Sequence, residues 1–320
     1  MNLFYKIINS ITASPPANWL VRKSKATSLP GFRGIPLFDV INFFIGQVKT
    51  VGIQERAAAI SFNLVMAIPP AIIFLFTLIP FFPISDKFEE SMYGLIRDVV
   101  PGEKDNSVLI GFLSDFINRP RTGLLSLGFI LSMFFSSNAI MGIMRSFDKN
   151  YIGLRKRTEL QKRGAALKIT MILFFLVLAS ILLLVGQGEV LEFLIESPRI
   201  RTIIVNARWL IIVLLYLASI SYIYRHAPAV HKKWKLINPG SILATVLMLI
   251  LTLVFSWWVG RFGTYNQLFG SIGTVLILML LINFNSMILL IGFELNVSIS
   301  SLKRIADERK DNPAEGNSKL

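Results

Sequence analysis

The 320-residue sequence predicts an all-α polytopic membrane protein: six transmembrane helices with amphipathic interfacial helices. Three observations lead there. Hydrophobic residues make up 53% of the chain and charged residues 16%, with 25 Phe and a mean hydropathy of +0.61, which is too apolar for a soluble protein of this size. The apolar residues gather in six runs, each long enough to cross a bilayer. Between the runs, Lys and Arg fall in alternate connections: 22 in the segments read as cytoplasmic against 8 in those read as external. That asymmetry places both termini in the cytoplasm. It also accounts for much of the formal charge of +14 without nucleic acid. Cysteine is absent, so disulfides and thiolate metal sites are excluded.

Residues 1–56 read as a cytoplasmic lead without a secretory signal, because their apolar pieces are short and broken by Asn, Ser and Pro15–Pro16. Within it, Leu37 to Val51 carries apolar residues on one helical face, as in an interfacial helix or a cytosolic helix packed on the bundle. Residues 57–297 form the six-span domain. Its first span, about Ala57 to Pro83, has Arg56 at its cytoplasmic mouth and Pro69 and Pro70 near its middle. Two missing or obstructed backbone bonds there must kink or break the helix. A break is tolerated only beside protein or water, so these prolines mark either a substrate path or a packed kink.

Residues 84–122 are acidic, with short apolar-periodic pieces around Tyr93–Val100 and Val108–Ile117, and read as a periplasmic helical insertion. Span two, about Gly123 to Phe147, carries Ser136, Ser137 and Asn138, with Arg145 at its inner end. A basic loop, Asp148 to Ala166, leads to span three, Leu167 to Gln187. Span four, Ile204 to Tyr224, finishes beside Arg225. Span five, Pro239 to Gly260, opens on Asn-Pro-Gly, a chain break followed by a helix start, and ends in Trp257–Trp258 at the interface. Residues 298–320 read as a polar, disordered cytoplasmic tail.

The last span, Gly270 to Ser298, holds Asn283, Asn285, Glu294 and Asn296. A charge at the bilayer centre costs roughly 2.5–3.5 kcal/mol on insertion scales, so such groups face protein or a watery cavity. At about 100° per residue, Asn283 and Glu294 fall within about 20° of each other, with Gly292, Asn285 and Asn296 roughly opposite. A helix with two polar faces belongs inside a bundle.

Four stretches, in this order and spacing, carry a resemblance. They are ERAAAISFNLVMAIPP (Glu55–Pro70), SSNAIMGIMRSFDKNY (Ser136–Tyr151), YIYRHAP with WKLINPGSILAT (within Tyr222–Thr245), and YNQLFGSIGTVLILMLLINFNSMILLIGFELN (Tyr265–Asn296). Together they resemble the YihY/virulence factor BrkB family of inner-membrane proteins, formerly catalogued as ribonuclease BN. Where that family often has an aromatic in the final span, this chain has Asn283 and Asn285. The resemblance implies a multi-pass protein of the bacterial cytoplasmic membrane, connected with envelope integrity, virulence or transport.

Three functions follow for weighing. Ribonuclease chemistry needs clustered carboxylates or histidines, yet the only histidines, His226 and His231, are five apart and do not share a helical face. No catalytic set, metal site, cofactor or Walker-type phosphate loop is expected, and the chain is read as not an enzyme. Binding or translocation of an anionic lipid or envelope-related small molecule has more to use. Arg56, Arg145, Arg225 and Glu294 all lie toward cytoplasmic span ends, with Asn138 and Asn283 deeper as the lining of a polar approach. Glu294 sits about 36 Å along from Gly270, so these charges could also merely pin helix ends at headgroup level. That is the scaffold reading, a non-transporting structural protein of the envelope. Expected partners are membrane lipids, anionic ones included, and either a second copy of the chain or a periplasmic partner bound through 84–122, but no nucleic acid.

Overall fold

The computed structural model describes residues 15–50, 52–78, 111, 122–148, 157–185, 197–230, 233–261 and 264–311. Eight helices occupy them: α1 (Pro15–Ala26), α2 (Leu37–Thr50), α3 (Ile53–Leu78), α4 (Thr122–Asp148), α5 (Glu159–Val185), α6 (Pro198–His226), α7 (Pro239–Arg261) and α8 (Thr264–Asp311). Helices α3, α4, α5, α7 and α8 are long and apolar enough to cross a membrane. The expected fourth span coincides with α6, whose apolar part among the described residues, Leu210–His226, is shorter. The expected insertion at 84–122 lies outside the described residues apart from Gly111.

Neighbours in sequence are neighbours in space. From α3 through α8 each helix packs on the next, and α8 returns against α3, so the six close on themselves. Helix α2 lies on α8, and α1 on α2. The starts of α3, α5 and α7 and the ends of α4 and α6 meet at one end, together with α2. We call it the α2 end.

The core sits there. Phe147 and Phe293 stack face to face at 3.8 Å, Tyr224 meets Phe147 edge-on, and Trp234 tilts against Phe293 at 5.5 Å. These four aromatics tie α4, α6, α8 and the segment before α7 into one cluster. Aromatic pairs add about 0.5–1.5 kcal/mol each beyond the area they bury. Tyr224 also donates its hydroxyl proton to the Leu289 carbonyl at 2.6 Å, so its one polar atom is satisfied inside the core.

Helices α7 and α8 cross with backbones almost touching. A Cβ on Gly240 would collide with the Gly292 carbonyl oxygen, and one on Gly292 would lie 2.5 Å from the Tyr224 hydroxyl and 2.6 Å from the Gly240 carbonyl oxygen. Small residues let membrane helices approach this closely, and dispersion then replaces the hydrophobic drive that lipid cannot supply.

The same α8 looks different at its two ends. From Gly292 to Ile299 every residue is buried, whereas Val275, Leu276, Leu278, Met279, Leu280 and Phe284 are all exposed. At about 100° per residue those six positions surround the helix. On α7 the buried residues likewise stop at Met248, and Leu253, Val254 and Trp257 are exposed. Among the described residues, the buried positions of α7 and α8 thus gather at the α2 end. On the α3–α4–α5 side, contact continues through Phe74, Phe129 and Phe174, with ring centres 5.3–6.2 Å apart.

Three sequence expectations need correction. Helix α3 runs unbroken through Pro69 and Pro70, so the chain does not break there. Pro69 points outward, and just beyond the prolines Gly128 brings α4 so close that a Cβ on it would lie 3.4 Å from the Phe74 Cα. Packing along α4 thus holds the helix through its missing bonds. The tail expected to be disordered from residue 298 is helical to Asp311: Ser298 and Ile299 are core residues, and Lys303–Asp307 and Arg304–Glu308 pair at i,i+4 beyond them. The basic loop also ends earlier than expected, because α5 already begins at Glu159, with Thr158 and Gln161 capping it reciprocally.

The close crossing makes a prediction. Gly240→Ala should lower the stability of the detergent-solubilised protein by about 1–3 kcal/mol, as overpacking does. Gly46→Ala, at an exposed α2 site where a Cβ meets nothing within 4 Å, should leave it unchanged or raise it by up to about 1 kcal/mol. Thermal unfolding of the two variants side by side checks this, and a Gly240→Ala protein as stable as the parent would contradict the crossing.

Candidate functional site

Arg56 lies in the first turn of α3, just after the left-handed Gly52 (φ 63) that turns the chain out of α2. The side chain runs inward and is 4% exposed. Its Nη1 donates to Glu294 Oε1 of α8 at 2.9 Å, and its Nη2 donates to the Ser146 carbonyl of α4. Ser146 is within the last turn of α4, where carbonyls have no partner in their own helix and the helix dipole is negative. One guanidinium therefore serves a carboxylate and a helix C-terminus together, and joins α3, α4 and α8.

Glu294 is 1% exposed, and only half of its carboxylate is satisfied. Oε2 of Glu294 and Nε of Arg56 are both buried with no hydrogen-bond partner among the described residues. Taking two charges out of water costs several kcal/mol per ion, and their attraction repays it only when the remaining lone pairs and protons are bonded. Here some are not. The pair is held but incompletely compensated.

The expected four-residue charge cluster reduces to this pair. Arg145 is exposed, and its Nε donates to the Met141 carbonyl one turn back, at 3.3 Å. Arg225 is half-buried at the end of α6, with its Nε buried and unpartnered among the described residues. Neither is ion-paired to Glu294. Arg145 follows Met144 and precedes Ser146, both buried, so the helical period turns it outward. Asn138 is held elsewhere too: its side-chain oxygen accepts from Arg163 Nη1 of α5, whose guanidinium also stacks 4.6 Å from the Phe134 ring. Asn283 is half-buried on α8, and Asn285 donates to Leu281 of its own helix at 2.8 Å.

The structure adds partners that the sequence did not mark. Asn238 caps α7: its Oδ1 accepts from Ser241 N at 2.9 Å and from Asn296 Nδ2 at 2.6 Å, while Asn296 Oδ1 accepts from Gly240 N at 3.0 Å. Two buried amides thereby close the α7 start onto α8. Readable signals existed, namely an Asn-Pro-Gly-Ser helix start and Asn296 one turn after Gly292. Arg157, counted before as a loop cation, caps α6 by donating to the His226, Ala227 and Pro228 carbonyls at 3.0–3.5 Å. Among the described residues no three His, Asp or Glu side chains gather to hold a metal ion.

A closed helical bundle with apolar spans and a buried ion pair between its first and last spans defines an integral, multi-pass membrane protein. The chain belongs to the Virulence factor BrkB family, whose model matches residues 44–318. Among its relatives, a ribonuclease-like protein, YfkH, of Bacillus subtilis (strain 168) is 26% identical over 80% of this chain and 93% of its own length. UPF0761 membrane proteins of Xanthomonas campestris pv. campestris (strain B100) and Stenotrophomonas maltophilia (strain K279a) are 22% and 24% identical over 78% of this chain. Those matches span only 58% of the two proteins' own length. No solved structure matches the chain.

The ion pair predicts thermodynamic coupling. Arg56→Ala and Glu294→Ala should each cost about 3–5 kcal/mol by leaving the other charge buried and alone. The double variant should cost clearly less than the sum, by at least about 1 kcal/mol. Denaturant unfolding in mixed micelles measures all three, and strict additivity would mean that the two groups do not act as a pair.

Proposed function

We propose that the chain is a cytoplasmic-membrane protein that binds and moves an anionic lipid, or a similar envelope-related acidic amphiphile, with Arg56–Glu294 as its internal latch. Both termini are cytoplasmic in this reading, because the α2 end gathers Arg22, Lys23, Lys25, Arg33, Lys49, Arg56, the cations from Arg157 to Arg163, Arg225, Lys233, Lys235 and those after Leu302, against Arg199, Arg201 and Arg208 toward the other end. The single observation that carries the proposal is the half-satisfied Arg56–Glu294 pair at the closed end of a bundle whose other half exposes apolar side chains all round α8. The exposed apolar surface of that half suits acyl chains. The closed end presents a guanidinium, whose planar fork suits phosphate or carboxylate.

The latch works by competition. An incoming anion that takes the place of Glu294 on Arg56 keeps the guanidinium paired but strands the Glu294 carboxylate, so the α3–α8 seam must part to return that carboxylate to water. This seam is also the one ring contact that no connecting loop reinforces, since α3 and α8 stand at opposite ends of the domain. The scaffold reading draws on the tight packing at the α2 end, where Glu294 is buried and Phe147 and Phe293 stack.

Reconstitution separates the two. In liposomes containing fluorescent phosphatidylglycerol, the protein should speed the exchange of label between leaflets, read by quenching from outside. Glu294→Gln and Arg56→Ala should each change that rate at least about fivefold, as expected for a coupling of 1–3 kcal/mol. A rate equal to that of protein-free liposomes, for a folded parent protein, would leave the scaffold reading in its place.

A further inference from the structure

A second feature at the α2 end takes no part in the latch. Between the turn after α1 and the start of α7 lies a cavity of about 240 Å³. Its lining includes Arg33 and Lys235 with Trp234, Ile237, Ile299 and Ser300, and no carboxylate. Neither Arg33 nor Lys235 makes an ion pair or side-chain hydrogen bond among the described residues. We propose that this cavity seats the phosphate and glycerol of an anionic phospholipid from the adjacent leaflet, with Arg33 and Lys235 on the phosphate and the apolar floor under the glycerol esters.

The chemistry favours a lipid over a free anion. A bare phosphate site would spend backbone N–H groups on its ligand, yet at the start of α7 those of Gly240 and Ser241 are already taken by Asn296 and Asn238. What remains is two cations above an apolar floor. Beside Lys235, Leu236 and Ile237 are both exposed, so the cavity lip itself is apolar. On α2, Ile41 and Ile45 are exposed at i,i+4 while Val40 is buried against α8, the pattern of a helix lying at a bilayer surface. Cations attract anionic lipid there by about 1 kcal/mol each. The volume fits a headgroup and not a drug-sized ligand, whose sites run from about 300 Å³ upward.

The turn holds Arg33 firmly in place. Phe32 and Ile35 on either side are buried against α8, and Leu37 N bonds back to the Thr27 carbonyl at 3.0 Å. Gly31 (φ 92) presses on α7 so closely that a Cβ would lie 2.7 Å from Pro239 Cγ. Arg33 itself is left-handed at φ 55, a conformation that costs a non-glycine residue about 1 kcal/mol or more and persists only where surroundings enforce it.

The site is separate from the latch, so the test does not depend on translocation. The purified full chain is titrated with dihexanoyl phosphatidylglycerol, dihexanoyl phosphatidylcholine and sn-glycerol 3-phosphate, and binding is read by native mass spectrometry. Phosphatidylglycerol should bind in preference to both others. Arg33→Gln with Lys235→Gln should weaken it about tenfold or more, and Arg33→Lys with Lys235→Arg should retain it. Lys235→Gln alone, in an exposed segment where only the backbone carbonyl of Lys235 is bonded, serves should the double variant misfold. Equal binding of phosphatidylcholine, undiminished binding by the glutamine variants, or full competition by glycerol phosphate would each overturn the proposal. Loss of leaflet exchange with this binding intact would count against the latch alone.

Discussion

Arg56 is the constraint on which the rest of the α2 end depends. A guanidinium has five donors in a fixed plane and cannot shed its charge, so once it is buried its neighbours must be arranged around it. The Glu294 carboxylate and the end of α4 both point at it. That fixes the depth of α8 against α3 and the depth at which α4 stops. The next residue after Ser146 is Phe147 and the one before Glu294 is Phe293, so the same registration brings those two rings into their stack. Polar pairing and aromatic packing are thus set by one alignment of three helices.

Around that alignment the protein uses side chains to finish helix ends. Arg56 closes α4, Arg157 closes α6, and Asn238 with Asn296 opens α7. Each satisfies backbone groups that hydrocarbon could not. Beyond the level of these caps the described residues of α7 and α8 expose apolar surface. With the buried positions of α7 and α8 gathered at the capped end, the stability these two helices draw from packing is concentrated there.

Much of this was legible in the sequence. Hydropathy and the positions of Lys and Arg gave the helical spans and grouped Arg56 with Glu294 at one end, and the helical period showed that the last span had two faces to satisfy. In the structure α3 takes the Glu294 face and α7 takes the Gly292–Asn296 face. What the sequence could not show depends on rotation and reach. Arg145 and Arg56 look equivalent as letters, yet one turns outward because its neighbours Met144 and Ser146 turn in. Arg157 was legible as a charge but not as a cap, because its carbonyl partners lie about 70 residues away in the chain. Pro69 and Pro70 signal a lost backbone bond, whereas whether the helix bends or breaks depends on how tightly α4 supports it. The polar letters after Ser298 hid a helix, because their pairing at i,i+4 sits beyond the apolar run that marks a span.

The ring order also bears on how the chain is made. Each helix from α3 to α7 can dock on its predecessor as it emerges, but Arg56 and Glu294 are 238 residues apart. At about 5–20 residues per second of synthesis, Arg56 waits roughly 10–50 s for its carboxylate. During that interval its charge must stay at the headgroup level, where a long side chain can reach water. Insertion of the final helix is therefore the event that draws Arg56 inward, and the bundle becomes a closed body only when the last span arrives.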